Sequence, residues 1–270
     1  MKSVVVSGLA AGAASTVVVP EVSAAVRPKA PGETKIVAIM GGDYGHNSIP
    51  LEMHIRGMFS TKKNWRILFV RASRFFTPEL ISDAELLITS RHSRPDDIDW
   101  REEGIVDTMS KGAMLWTDEN ADAIIDNVRN RGMGFLALHN TIACRNKKIT
   151  GLLDIEPVPH NEIQPIWIRD LNREHPVTRG MKNFFVPLDE QFAVVIKSGA
   201  TTTLFETTAI HDKRNAVGGW CLEQGKGRIV GLLPGHTKEL YRLHEYQEIL
   251  WRAAHWAMRR KIPVYPKASG

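Results

Sequence analysis

Three apolar runs in this chain each deliver a histidine just where the run ends. "KIVAIM" leads through a glycine-rich stretch to His46, "GFLAL" runs directly into His139, and "RIVGLLPG" into His236. Imidazole titrates near neutrality, so it serves either as a neutral metal ligand or as a general acid and base. Two or three imidazoles with one carboxylate form a donor set suited to a divalent ion such as Zn, Mn or Fe. Glu190, in "LDEQF", is the candidate carboxylate, making His46, His139, His236 and Glu190 the expected metal ligands. His160 and Glu190 are the candidates for moving a proton. A thiol nucleophile is disfavoured: Cys144 lies five residues beyond His139, with no glycine-rich elbow to hold it.

These histidines need rigid elements to bring them together. "KIVAIM", "WRILFVRAS", "ELLIT", "FLAL" and "RIVGLL" read as strands, most of them short apolar runs of the buried kind. Between them lie helical patterns. "SIPLEMHIRGMF" carries Pro50 in its first turn, and "TPELISDA" has Thr77 as cap and Pro78 at the first helical position. In "WTDENADAIIDNVRNRG", Ala121, Ile124, Ile125 and Val128 share one face, Thr117 or Asp118 caps the start, and Gly132 ends it. Strands alternating with helices predict a parallel sheet covered on both faces, and in such sheets ligands bind at the carboxyl ends of the strands. "SRHSRPDDIDWREEG" reads as a polar loop. From Cys144 to about Phe185 the pattern weakens; "IQPIWIRDL" alternates like a strand and "HPVTRGM" reads as a turn. "GGWCLEQGKGRIVGLL" reads as a hairpin turning at Gln224–Gly227, and the stretch from His236 to Arg260 as one long amphipathic helix.

The 270 residues are 43% hydrophobic and 24% charged, ordinary values for a globular protein. The net charge of +5 comes from scattered basic residues, without the stripe or motif of a nucleic-acid binder. Residues 1–24 read as a signal peptide, with Val22 and Ala24 at the positions that peptidase cleavage requires, or alternatively as the leader of a cytoplasmic protein. Export, to the periplasm, is the expectation. Residues 25–34 form a linker, 35–262 the domain and 263–270 a tail. Cys144 and Cys221 are expected to be buried free thiols.

The ordered set "GMGFLALHNT", "PHNEIQPIWI", "HPVTRGM", "DEQF", "GKGRIVGLLPGH" and "LWRAAHWAM" resembles the ThuA-like, or trehalose-utilization, family. The likeness spans nearly all of residues 35–260. It implies an α/β fold, flavodoxin-like or class I glutamine amidotransferase-like: a three-layer sandwich on a mostly parallel central sheet. In that fold a Cys nucleophile sits at a strand-to-helix turn and a His follows a later strand. Here His139 stands at the first place and His236 at the second, so the resemblance implies the scaffold without amidase chemistry. The segment after His139, "ACRNKK", departs from the family by lacking its longer helix.

The family is linked to disaccharide catabolism through 3-keto sugars. The expected function is therefore a metal-dependent enzyme acting on keto-sugars or 3-keto-glycosides by isomerase, epimerase or lyase chemistry. The alternative is a non-catalytic sugar-binding or assembly module. The expected partner is a small-molecule carbohydrate, with neither nucleic acid nor membrane, and a homo-oligomer is left open. Trp100, Trp116, Trp167 and Trp220 are candidate stacking platforms for a sugar ring, or core residues.

Overall fold

A computed structural model describes residues 27–40, 48–60, 62–70, 75–91 and 115–265. His46, Trp100, the leader 1–24, most of the polar loop after Ser90 and the end of the tail lie outside the described residues. The first strands are β1 (Thr34–Met40), β2 (Trp65–Val70), β3 (Leu86–Ser90) and β4 (Gly134–Leu138). They alternate with helices α1 (Ser48–Ser60), α2 (Pro78–Ile81) and α3 (Asp118–Asp126). The later elements are α4 (Lys147–Leu152), β5 (Ile155–Val158), β6 (Ile163–Arg169), β7 (Phe184–Glu190), β8 (Ala193–Ile196), β9 (Thr202–Ala209), β10 (Asn215–Gln224) and β11 (Gly227–Leu232). Helices α5 (Lys238–Tyr241) and α6 (His244–Ala257) follow.

Among the described residues, nine strands form one sheet in the order β2-β1-β3-β4-β11-β10-β9-β6-β7, and β5 pairs with β8 separately. The first five strands are parallel and follow the doubly wound order of flavodoxin-like folds. The other four extend the sheet as an antiparallel wing. The parallel core is the one the apolar runs predict. The wing makes the whole sheet mixed, because β6, β7, β9 and β10 are joined by reversals rather than crossover helices.

Alternation along each parallel strand divides the core in two. Ile36, Ala38, Leu86, Ile88, Leu136, Leu138, Val230 and Leu232 face a layer containing α1 and α6. Val37, Ile39, Leu87, Phe135, Ala137 and Ile229 face the layer of α2, α3 and α4. The caps follow the chemistry of their sequence: the Thr117 side chain accepts the Asn120 N–H at 3.1 Å, and Gly132 ends the segment at φ 84°. The last turn, Asn127–Arg131, is wound as a π-helix.

The expected long carboxyl-terminal helix is two helices. Leu243 adopts an extended conformation (φ −75°, ψ 121°) between them. The break has a purpose that periodicity does not reveal. Tyr241 and Tyr246 both send hydroxyls to the loop after β11, to the carbonyls of Gly235 and Pro234 respectively. In a continuous helix, positions five apart diverge by about 140° around the axis. The Gln247 amide donates to the Tyr241 carbonyl at 2.7 Å, satisfying an acceptor exposed by the break. No helix among the described residues is long and apolar enough to cross a membrane.

Candidate metal centre

The apolar run of β4 ends on a strained residue. His139 has φ 38° and opens a 3₁₀ turn, His139–Ala143, instead of continuing the strand. A non-glycine residue in this region is uncommon and is held there only by its surroundings. Here Gly235 supplies that constraint: a Cβ at Gly235 would lie 2.8 Å from the His139 Cβ and 3.0 Å from the Tyr241 hydroxyl. The backbone after β11 therefore packs directly against the elbow after β4, its parallel neighbour.

His139 is 1% exposed, and its Nδ1 lies 2.7 Å from the Leu233 carbonyl oxygen. A carbonyl only accepts, so Nδ1 carries the proton and Nε2 carries the lone pair of a neutral ring. Nε2 lies 3.4 Å from Glu190 Oε2. His236 Nδ1 lies 3.0 Å from the same oxygen. The pKa of His236 is raised, first by its hydrogen bond to Glu190, then by the negative charges of Glu190 and Asp189, against a lowering by burial. His160, on the loop between β5 and β6, places Nδ1 2.7 Å from Glu190 Oε1 and 3.0 Å from the Asn161 carbonyl.

His139, Glu190 and His236 each offer one ligand atom, and these atoms all lie within 4.8 Å of one another. Two imidazoles and a carboxylate, with the tautomer of one imidazole fixed by a backbone carbonyl, suit a divalent transition ion; this buried group can hold a metal. Of the expected residues, the structure brings His139, Glu190, His236 and His160 together, while His46 lies outside the described residues.

The wall of the site is one that sequence reasoning missed. The Phe192 ring stands edge-on to His139 at 4.5 Å and lies 4.9 Å from His160. Its place two residues after Glu190 was the available signal. The tryptophans are distributed otherwise. Trp220 is fully buried and donates to the Leu153 carbonyl, and Trp116 is buried beneath the Arg91 carbonyl, so both are core. Trp167 is 41% exposed, on the wing. Cys144 and Cys221 are free and buried, as expected. Burial pushes the Cys144 thiol up to about 11, which leaves almost no thiolate at neutral pH and argues against a nucleophile.

The fold and site together define a doubly wound α/β protein with a histidine–carboxylate centre at its strand mouths. The chain belongs to the ThuA family, described as trehalose utilisation, whose model matches residues 36–257. Among solved structures, a ThuA-like protein from Parabacteroides merdae is 15% identical with a TM-score of 0.66, covering 87% of this chain and 94% of its own. Another from Bacteroides uniformis is 14% identical with a TM-score of 0.63, covering 86% and 93%. The β-galactosidase from Rahnella sp. R3 matches at 11% identity and TM-score 0.54, over 86% of this chain and 32% of its own, a likeness of fold alone. No curated protein sequence is significantly similar to the chain.

Proposed function

We propose that this protein is a carbohydrate-catabolism enzyme that moves a proton on a keto-sugar or 3-keto-glycoside, assisted by a divalent metal held by His139, Glu190 and His236. The observation that carries this reading is the convergence of three histidines from separate elements on one carboxylate. When bound, such an ion supplies Lewis-acid polarisation of a carbonyl and its neighbouring hydroxyl, which acidifies the adjacent C–H.

The chain's own groups divide the remaining work. Glu190 turns Oε2 toward His139 and His236, and Oε1 toward His160. With Nδ1–H held by Glu190 Oε1 and the Asn161 carbonyl, His160 presents Nε2 as the base. The carboxylate then stabilises the imidazolium formed when Nε2 takes a proton. The His160 side chain is 50% exposed, so that proton can exchange with solvent before His160 returns one from the same side. Phe192 packs against both rings, perpendicular to His139 and tilted against His160.

The test is elemental analysis of the purified protein, followed by incubation with 3-keto-glucosides in deuterated water. Stoichiometric metal with deuterium uptake beside the carbonyl is the expected result, and His160→Gln should abolish the uptake while retaining the metal. Sugar binding without exchange or product would instead make the protein a binding module.

A further inference from the structure

Glu190 is preceded on β7 by a second carboxylate, Asp189, which is fully buried and has a different environment. The two acids reach the same segment at different points, Glu190 at the His236 ring and Asp189 at the backbone around it. Asp189 accepts three successive backbone N–H groups, from Gly235 at 2.9 Å, His236 at 2.8 Å and Thr237 at 3.1 Å. The Thr237 hydroxyl returns a hydrogen bond to the Leu188 carbonyl at 2.5 Å. From the other side, Tyr241 holds the Gly235 carbonyl at 2.7 Å, and Tyr246 holds that of Pro234. Three consecutive amides closing on one carboxylate form the kind of nest usually seen around bound anions. Here the anion belongs to the strand that also carries Glu190.

We infer that Asp189 is a positioning residue: it clamps the loop bearing His236 to the strand bearing Glu190, and so sets the spacing of those two metal ligands. β7 is the far edge of the wing, whereas β11 belongs to the parallel core, and three strands separate them in the sheet. No ladder hydrogen bond ties one to the other, so the spacing depends on a link outside the sheet. Asp189 provides it with three amide hydrogen bonds: burial pushes its carboxyl up to about 7, and the amides oppose that shift by favouring the carboxylate they bind. The clamp spans 46 to 48 residues of sequence.

The inference rests on the proposed metal site, and the test separates the two. Co²⁺ is titrated into the full-length apo protein and into Asp189→Asn, following the visible d–d spectrum and affinity. Amide hydrogen exchange at Gly235–Thr237 is measured in parallel. The substitution keeps the side-chain shape but removes the charge. The expected result is a folded variant with faster exchange at those three amides, about 10–100-fold weaker Co²⁺ binding and an altered d–d spectrum. Unchanged exchange would overturn the clamp. Faster exchange with wild-type affinity and spectrum would overturn its role in positioning, while leaving the metal site intact. Wild-type protein that takes up no Co²⁺ would sink the metal reading and this inference with it. Should Asp189→Asn fail to fold, Tyr241→Phe loosens the same loop without touching a carboxylate. It should shift the Co²⁺ spectrum in the same direction, and an unshifted spectrum would count against the clamp.

Discussion

At His139, function and backbone strain occupy one residue, and substitutions can separate them. His139→Ala and His139→Gly remove the same imidazole and the same bond to Leu233. Only glycine relieves φ 38°. The glycine variant should therefore be more stable than the alanine variant by about 1 kcal/mol, while both lose the metal. Equal melting temperatures would show that the elbow carries no strain. Leu138→Ala, one residue earlier and buried, should cost about 2–5 kcal/mol through a cavity and leave the ligands in place. His139 and His236 stood out in the sequence because a reactive side chain at the end of an apolar run violates the local pattern, whereas Glu190, in "LDEQF", stood out only as a carboxylate to complete their donor set. Asp189 and Phe192 did not, because their roles come from contacts with residues far away in the chain. Beside Glu190 in "LDEQF", each reads as one half of an ordinary strand end.

Helices and strands whose cause lies within themselves were the ones legible in sequence. The Thr117 cap, the apolar face of α3 and the Gly132 stop are all local, and they appear where expected. The break between α5 and α6 serves two tyrosine contacts to a distant loop, and an amphipathic pattern runs through it unchanged. The same contrast holds for "HPVTRGM", a turn closed by Gly180 at φ 76°. His175 Nδ1 accepts the Val177 N–H at 3.3 Å, so a neutral ring carries its proton on Nε2 and donates it to Cys221 Sγ, 3.3 Å away. Burial, helped by the charges of Arg228 and Arg179, holds the His175 pKa down at about 4, against 6.5 ordinarily. The folded state therefore keeps the ring neutral where the unfolded chain is protonated. Its contribution is complete above pH 6.5 and is lost as pH falls toward 4. His54, held down to about 4 by burial, acts in the same direction. His175→Asn keeps an acceptor for Val177 but loses the ring contact with Trp256. It should lower the melting temperature at neutral pH, and the gap from wild type should narrow on acidification through that window. A gap that widens would show that the native ring is charged.

Across the whole molecule, the two ends of the parallel strands carry different duties. The carboxyl ends hold the strained elbow, the loop bonded to Asp189 and the candidate ligands His139 and His236. The amino ends are closed by ion pairs that touch none of these. Lys35, 1% exposed, meets Asp83 at 2.5 Å, Lys29 meets Glu85 at 2.8 Å, and Arg260, just past α6, reaches Glu85 at 2.5 Å and the Thr34 hydroxyl at 2.6 Å. Five-residue strands such as β3 and β4 set the two ends roughly 16 Å apart, beyond the range at which small packing shifts couple. Asp83→Asn removes the counter-charge of the buried Lys35 ammonium and should cost about 1–3 kcal/mol, less than for a fully buried pair because Asp83 is itself 29% exposed. Metal affinity and turnover per folded molecule should not change. Gly235→Ala should do the reverse. Its new Cβ meets the His139 Cβ at 2.8 Å and displaces a ligand, while the ion pairs at the other end stay as they were. The double variant should then show the stability loss of both changes added and the metal defect of Gly235→Ala alone. A metal defect in folded Asp83→Asn protein would mean that the sheet transmits strain along its full length, and that the mouth and the base form a single mechanical unit.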